Sequence, residues 1–245
     1  MGRVGQPDRK GHGRLPGAFD NMSRHAWGIM REVLIATSNQ GKLRDFAAAA
    51  ASLGVAVAPV PAFQDLAPAR EDAPTFEANA CKKAQHYSRN VLGHYVLADD
   101  SGLEVDALHG APGVRSARYA AEAATAGPQP PPGPVSPGLP DADTANNLRL
   151  LAELRDVPGE NRGGRFVCVI AVAREGRLVA CFRGEVRGWI LREPRGSGGF
   201  GYDPLFYIPE ADCSFAELSP EDKAAFSHRG KAFRKFLNWY TALEE

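Results

Sequence analysis

The sequence predicts an α/β protein, and three observations carry that expectation. A short apolar run at 31–36 (REVLIA) gives way to a small polar loop and then to an alanine-rich stretch at 43–53 with high helix propensity. A second apolar run at 95–98 ends in adjacent carboxylates, Asp99 and Asp100, before alternation resumes at Leu103 and Val105. Two β-rich runs, 165–174 and 178–190, meet at Glu175-Gly176 in the pattern of an antiparallel hairpin.

A chain of 245 residues accommodates one large domain or two lobes. Its 44% hydrophobic and 24% charged content is that of a soluble globular protein. The 29 basic residues are matched by 29 acidic ones, so no net field draws the chain to nucleic acid or a membrane surface. Any anion site must be a local cluster. No stretch approaches the roughly 18 apolar residues of a membrane span. The four cysteines, Cys81, Cys168, Cys181 and Cys213, form no CxxC pair and have no histidine at zinc spacing. They predict a reducing, cytoplasmic setting without a structural metal.

Residues 1–29 are rich in glycine and basic residues, with no periodic apolar face and no signal-peptide core, and read as a disordered N-terminal extension. The domain is expected to span 30–245. After the first strand, the loop of Thr37, Ser38, Asn39, Gln40, Gly41 and Lys42 leads into a helix. Strand, small polar loop and helix together offer backbone N–H groups to phosphate, with Lys42 as a point charge. A capped βα turn with an exposed lysine has the same sequence. Residues 55–60 alternate as a second strand, and prolines at 59, 61 and 68 mark a loop running to Glu71. Thr75 is placed to cap a helix over 76–90 whose core face is Phe76, Ala80, Ala84 and Tyr87. Asn79 and Lys83, four apart, share a different face.

Successive strand residues point to opposite faces, so Asp99 and Asp100 cannot both look into one dry core. Ser101-Gly102 is expected to turn the chain there. Acids so placed suit a hard cation such as Mg²⁺, although DDSG is also an ordinary hydrophilic turn. The segment 110–119 is too polar and glycine-rich for core, and 127–140 carries seven prolines, the composition of an insert that packs no core. A helix resumes with Asp141 or Asp143 as its cap. Beyond the hairpin, the glycine loop 196–204 holds Phe200, Gly201, Tyr202 and Asp203, where an exposed ring offers a stacking face. Ser219 is placed to cap a short helix through 226. Ser227 opens the last helix, whose buried face is Phe233, Phe236, Leu237 and Tyr240. His228 and Arg229 at its start favour an anion, or are solvated neighbours of a capping serine.

Six stretches occur in a telling order: TSNQGK at 37–42, TFEANA at 75–80, DDSGLEVDAL at 99–108, GAPGVRSARY at 110–119, GGFGYDP at 198–204 and SHRGKA at 227–232. With them, the chain from about residue 30 to 242 resembles the inosine triphosphate pyrophosphatase family, the non-canonical purine nucleoside triphosphate pyrophosphatases of dITP/XTP type. The resemblance implies an elongated two-lobed α/β fold around a long mixed β-sheet with flanking helices, an active-site cleft between the lobes, and a homodimer. It implies hydrolysis of ITP, dITP and XTP to the monophosphate and pyrophosphate with Mg²⁺. Residues 37–42 and Lys83 would then meet the triphosphate, Glu71 and Asp100 the metal, with Asp100 also the proton acceptor. Ser101 would contact substrate; Phe200, Gly201, Tyr202 and Asp203 would bind the nucleoside, and Lys223, His228 and Arg229 would read the base. The chain departs from the family pattern at Ala78, where a glutamate is usual, and Glu77 stands about 100° away around a helix. Two other readings compete: a pyrophosphatase of the related Maf type, which should lack the FGYDP and SHR segments, and a nucleotide-binding regulator without catalysis, motivated by Ala78.

Overall fold

The computed structural model describes residues 31–51, 54–124 and 141–243. The predicted extension at 1–29 and the proline-rich insert at 127–140 lie outside them. Within the described residues, seven strands form one mixed sheet in the order β2-β1-β3-β4-β5-β6-β7. They are β1 (Arg31–Ile35), β2 (Val55–Pro59), β3 (Val96–Val105), β4 (Gly163–Arg174), β5 (Arg177–Ile190), β6 (Phe206–Ile208) and β7 (Cys213–Ser214). β1 runs parallel to β2 and β3, and every pairing from β3 onward is antiparallel.

The helices are α1 (Gln40–Ala51), α2 (Phe76–Ser88), α3 (Tyr119–Ala124), α4 (Ala142–Glu153), α5 (Pro220–Phe226) and α6 (His228–Ala242). Their starts follow from side-chain caps that satisfy first-turn N–H groups. Thr75 accepts from Ala78 N–H, Asp141 from Thr144 N–H, Ser219 from Asp222 N–H and Ser227 from Gly230 N–H. Asn39 does the same for α1, accepting from Lys42 N–H at 3.1 Å, so α1 begins at Gln40, three residues ahead of the expected start.

Side-chain parity along β4 explains the layering. Cys168, Ile170 and Val172 join Val33, Ile35 and Leu97 beneath α1 and α6, where Phe46, Phe233 and Phe236 are buried. Val167, Val169, Ala171 and Ala173 join Leu34, Val96 and Ala98 beneath α2. Both faces of β4 are covered, which is why its sequence is a continuous apolar run rather than an alternating one. A third cluster gathers Leu103, Val105, Leu150, Phe166 and Phe206 farther along the sheet, under α4. Gly184 lets α6 lie on β5, since a Cβ there would stand 2.2 Å from the His228 carbonyl oxygen. The β4–β5 hairpin turns at Glu175 and Gly176, both at positive φ (52° and 80°), as a two-residue type I′ turn requires.

The expected turn at Ser101-Gly102 is not there. β3 continues through it, paired with β4 at every position from Val96 to Val105, including Ser101 with Cys168 and Gly102 with Val167. The glycine serves a close approach instead. A Cβ at 102 would lie 2.3 Å from Ser116 Oγ and 2.7 Å from the Gly113 carbonyl oxygen. Gly102→Ala is expected to cost about 1–3 kcal/mol through overpacking, measured by urea denaturation of the two chains.

Candidate active site at the end of strand β1

β1 pairs with β3 only at Leu34–Val96 and Ile35–Leu97. Beyond Leu97, β3 runs on without β1 beside it, and the loop 37–42 passes into α1 at that point. β1 is the strand flanked on one side by its successor β2 and on the other by β3, so this is where the connections diverge to opposite sides. Open α/β sheets bind ligands outside the carboxyl end of a strand at such a switch.

Asp99 follows the parity of Leu97 and faces α1 and α6. Its carboxylate meets Lys42 Nζ at 2.9 Å and Arg229 Nε at 3.7 Å, and accepts from Ser101 Oγ at 3.2 Å. Arg229 also donates to Ser101 Oγ at 3.1 Å. Burial pushes the Asp99 carboxyl up, but Lys42, Arg229 and Lys83 outweigh it and hold it well below the usual carboxylate range. Asp100 follows Ala98 onto the α2 face. There it accepts from Lys83 Nζ at 3.1 Å and Asn79 Nδ2 at 3.2 Å. Its carboxyl moves the other way: burial raises it, Lys83 and Asn79 pull it back, and nearby Glu71 adds to the rise, leaving it above the ordinary 3.8. Adjacent residues of one type therefore carry opposite proton affinities.

Glu71, exposed in the loop before α2, reaches Lys83 Nζ at 3.4 Å, so Glu71 and Asp100 converge on one ammonium. Burial pushes the Lys83 ammonium down, yet Asp100, Asp99 and Glu71 together raise it and keep it charged. Mg²⁺ takes one or two carboxylates and fills its remaining sites with water and substrate phosphate oxygens. Glu71 and Asp100, which both meet Lys83 Nζ, are two hard oxygen donors of that kind. Among the described residues no group of three His, Cys, Asp or Glu side chains is placed to hold a metal, and Ala78 adds no donor. The acids fit an ion shared with substrate, not a cage made by protein alone.

On the Asp99 face lies a cavity of about 210 Å³ whose wall includes Lys42, Ser101, Phe166, Phe200, His228 and Arg229. The Phe200 ring has Lys223 Nζ 4.8 Å and Arg229 Cζ 5.4 Å from its centroid. The loop carrying it is held by its own residues. Asp203 accepts from Phe200 N–H at 2.9 Å and from the buried Lys223 ammonium at 2.7 Å. Gly201 donates its N–H to Asp143 at 2.7 Å, and its carbonyl accepts from Asn147 at 2.9 Å. Tyr202 is buried and donates its hydroxyl to the Ser116 carbonyl at 2.8 Å. Of the four predicted nucleoside-loop residues, Phe200 presents a ring to the cavity while Tyr202 and Asp203 brace it. His228 stacks on Phe166 with centroids 4.8 Å apart and planes 12° from parallel. Its Nδ1 is buried without a hydrogen-bond partner among the described residues. Burial, then Arg229 and Lys223, push the imidazole well below 6.5, so it is neutral.

The loop 37–42 is tightened by Asn39 N–H donating to Thr37 Oγ1 at 3.2 Å, while Ser38 and Gln40 are exposed. Sequence reasoning missed Asn146, Asn147 and Phe166. Asn146 is buried on α4 and donates to the carbonyls of Ser116 and Ala117. A pair of asparagines inside a leucine-rich helix was the available signal. Asp143 does not cap α4, which Asp141 does; it holds Gly201 instead. A larger groove of about 1010 Å³ runs along β5 and α6, but none of the predicted site residues lines it.

Fold and site together define a mixed α/β protein with a cavity lined by cations and an aromatic ring, Lys42, Lys223, Arg229 and Phe200, while Glu71, Lys83 and Asp100 lie outside its wall. The comparisons place it in a family. Residues 33–239 match the Ham1 family, and the chain belongs to it. A relative in Acidobacterium capsulatum, called a dITP/XTP pyrophosphatase, is 49% identical over 83% of this chain and 95% of its own. One of the same name in Geobacter sulfurreducens is 45% identical over 86% and 98%. A HAM1 protein of known structure from Coxiella burnetii is similar with a TM-score of 0.70 and 34% identity, covering 87% of this chain and all (100%) of that one.

A neutral buried His228 fixes the sign of one pH effect. The unfolded chain binds a proton near 6.5 while the folded chain does not, so this contribution to stability is present above 6.5 and is lost as pH falls below it. Thermal melts from pH 7.5 to 5.5 are expected to show a shallower fall in Tm for His228→Gln than for the unmodified chain.

Proposed function

We propose that this chain hydrolyses non-canonical purine nucleoside triphosphates, ITP, dITP and XTP, to the monophosphate and pyrophosphate. The observation that carries the reading is the division of labour on β3, with a carboxylate saturated by cations on one face and one of raised proton affinity on the other. The relatives named dITP/XTP pyrophosphatase support the choice of substrate.

The triphosphate concentrates negative charge, and the residues at hand to meet it are Lys42, Lys83 and the backbone of 37–42. Water attacks the α-phosphorus, a new P–O bond forms, the bond to the bridging oxygen breaks, and pyrophosphate leaves. Asp100 takes the water's proton. Asp99 is unsuited to that role, because, despite its burial, Lys42 and Arg229 hold its carboxyl well below the usual carboxylate range and leave it a weak base. A raised carboxyl pKa brings a base closer to working pH and improves proton transfer. Glu71 and Asp100 would hold Mg²⁺, which when bound supplies charge neutralisation at phosphate oxygens.

At the other end Phe200 is the ring for stacking the base, and Arg229 is the donor for a 6-oxo group. Adenine offers a 6-amino donor there, leaving two donors facing each other at a cost of about 1–3 kcal/mol each. A cytoplasmic homodimer is part of the same reading and rests on the family resemblance; light scattering on the eluting protein tests the dimer.

Pyrophosphate release from ITP, dITP, XTP, GTP, ATP and dTTP, with Mg²⁺ and with EDTA, tests the reading. Turnover of the deaminated purines that EDTA abolishes is expected, and binding without turnover would favour a regulator. Asp100→Asn is expected to lower kcat by at least about 100-fold, with Tm retained. Near-normal turnover would remove Asp100 from the mechanism. Ala78→Glu, which adds a carboxylate at the start of α2, is expected to lower the Mg²⁺ concentration for half-maximal rate; an unchanged titration would contradict it.

A further inference from the structure

Two of the four cysteines face each other outside the pocket. Cys81 on α2 and Cys181 on β5 are far apart in the chain, yet their sulfurs stand 3.3 Å apart. Both are free thiols and both are partly exposed, within reach of a small solute. Cys168, by contrast, is wholly enclosed at 0% exposure. α2 is also the helix that brings Asn79 and Lys83 to Asp100, and Cys81 lies midway between those two residues.

We propose that Cys81 and Cys181 are an oxidisable dithiol, and that the disulfide between them lowers the rate by drawing α2 away from Asp100. The oxidant is of the hydroperoxide class. Peroxide transfers an oxygen to one sulfur, giving a sulfenic acid and one water. The second thiol attacks that sulfur, the S–S bond forms, the S–O bond breaks, and the departing hydroxide takes the thiol proton to give a second water. Two electrons leave the pair and peroxide is reduced. Burial, and then the contact with Cys81, push the Cys181 thiol up to about 12. Closing the bond draws the sulfurs together by about 1.3 Å. Displacements of about 1 Å in a catalytic site can cost about 100-fold in rate.

The chemical half of this inference stands apart from the proposed activity, and only the loss of rate rests on it. The full chain is treated with hydrogen peroxide, quenched and digested without reductant. A peptide joining residues 81 and 181, with the loss of two hydrogens, is expected. The linked chain should turn over dITP at least about tenfold more slowly, with recovery on adding dithiothreitol. Cys81→Ser and Cys181→Ser should keep normal turnover and lose the response. Absence of the 81–181 peptide overturns the pair, and full turnover by the linked chain overturns its effect. If the reduced chain turns over no nucleotide, hydrogen exchange decides: faster exchange of the α2 amides after linking supports the displacement, and unchanged exchange rejects it.

Discussion

The site depends on the two-residue period of a strand. β3 carries two acids in succession, and because it stays paired with β4 throughout, those acids must emerge on opposite faces. Each face then supplies its own counter-charges, Lys42 and Arg229 from α1 and α6, Lys83 from α2. Had the strand ended at Asp100, both side chains could have swung into one space and repelled each other. The pairing keeps them apart and lets neighbours differ in proton affinity.

The two faces also differ in what surrounds the charge. Asp99 is sealed, with a side chain only 2% exposed. Removing one partner from so buried a set leaves an uncompensated charge and costs about 3–5 kcal/mol. Asp100 and its partner Lys83 are less tightly enclosed, with side chains 11% and 10% exposed and the exposed Glu71 beside them. One half of the pair is thus sealed on all sides, and the other has a solvent-facing acid next to it.

Much of this was legible in the sequence because the signals were local. Caps at Thr75, Ser219 and Ser227, the Glu175-Gly176 turn and the aromatic face of α6 all follow from spacing within a few residues. The ordered motifs located the family, and the structure divides the residues they named between a cavity with Lys42, Phe200, Lys223, His228 and Arg229 and a cluster of Glu71, Lys83 and Asp100 on the other face of β3. What was not legible depended on distant partners. Ser-Gly looks like a turn when read alone; its extended course is set by β4, about 65 residues later, and its glycine by Ser116. Asn146 and Phe166 gain their importance from a carbonyl and an imidazole that no local pattern reveals. The same holds for the thiol contact between α2 and β5.

The Asp99 carboxylate touches both the lysine that would hold phosphate and the arginine that would read the base. On the proposed reading, grip and discrimination share a single side chain and would not drift independently. A lineage that retuned Arg229 toward a different heterocycle would loosen Lys42 as well, so acquiring a new preference would bring slower chemistry at first. Such a linkage favours narrow specialists over generalists, because any relaxation in what is recognised also weakens what is done to it.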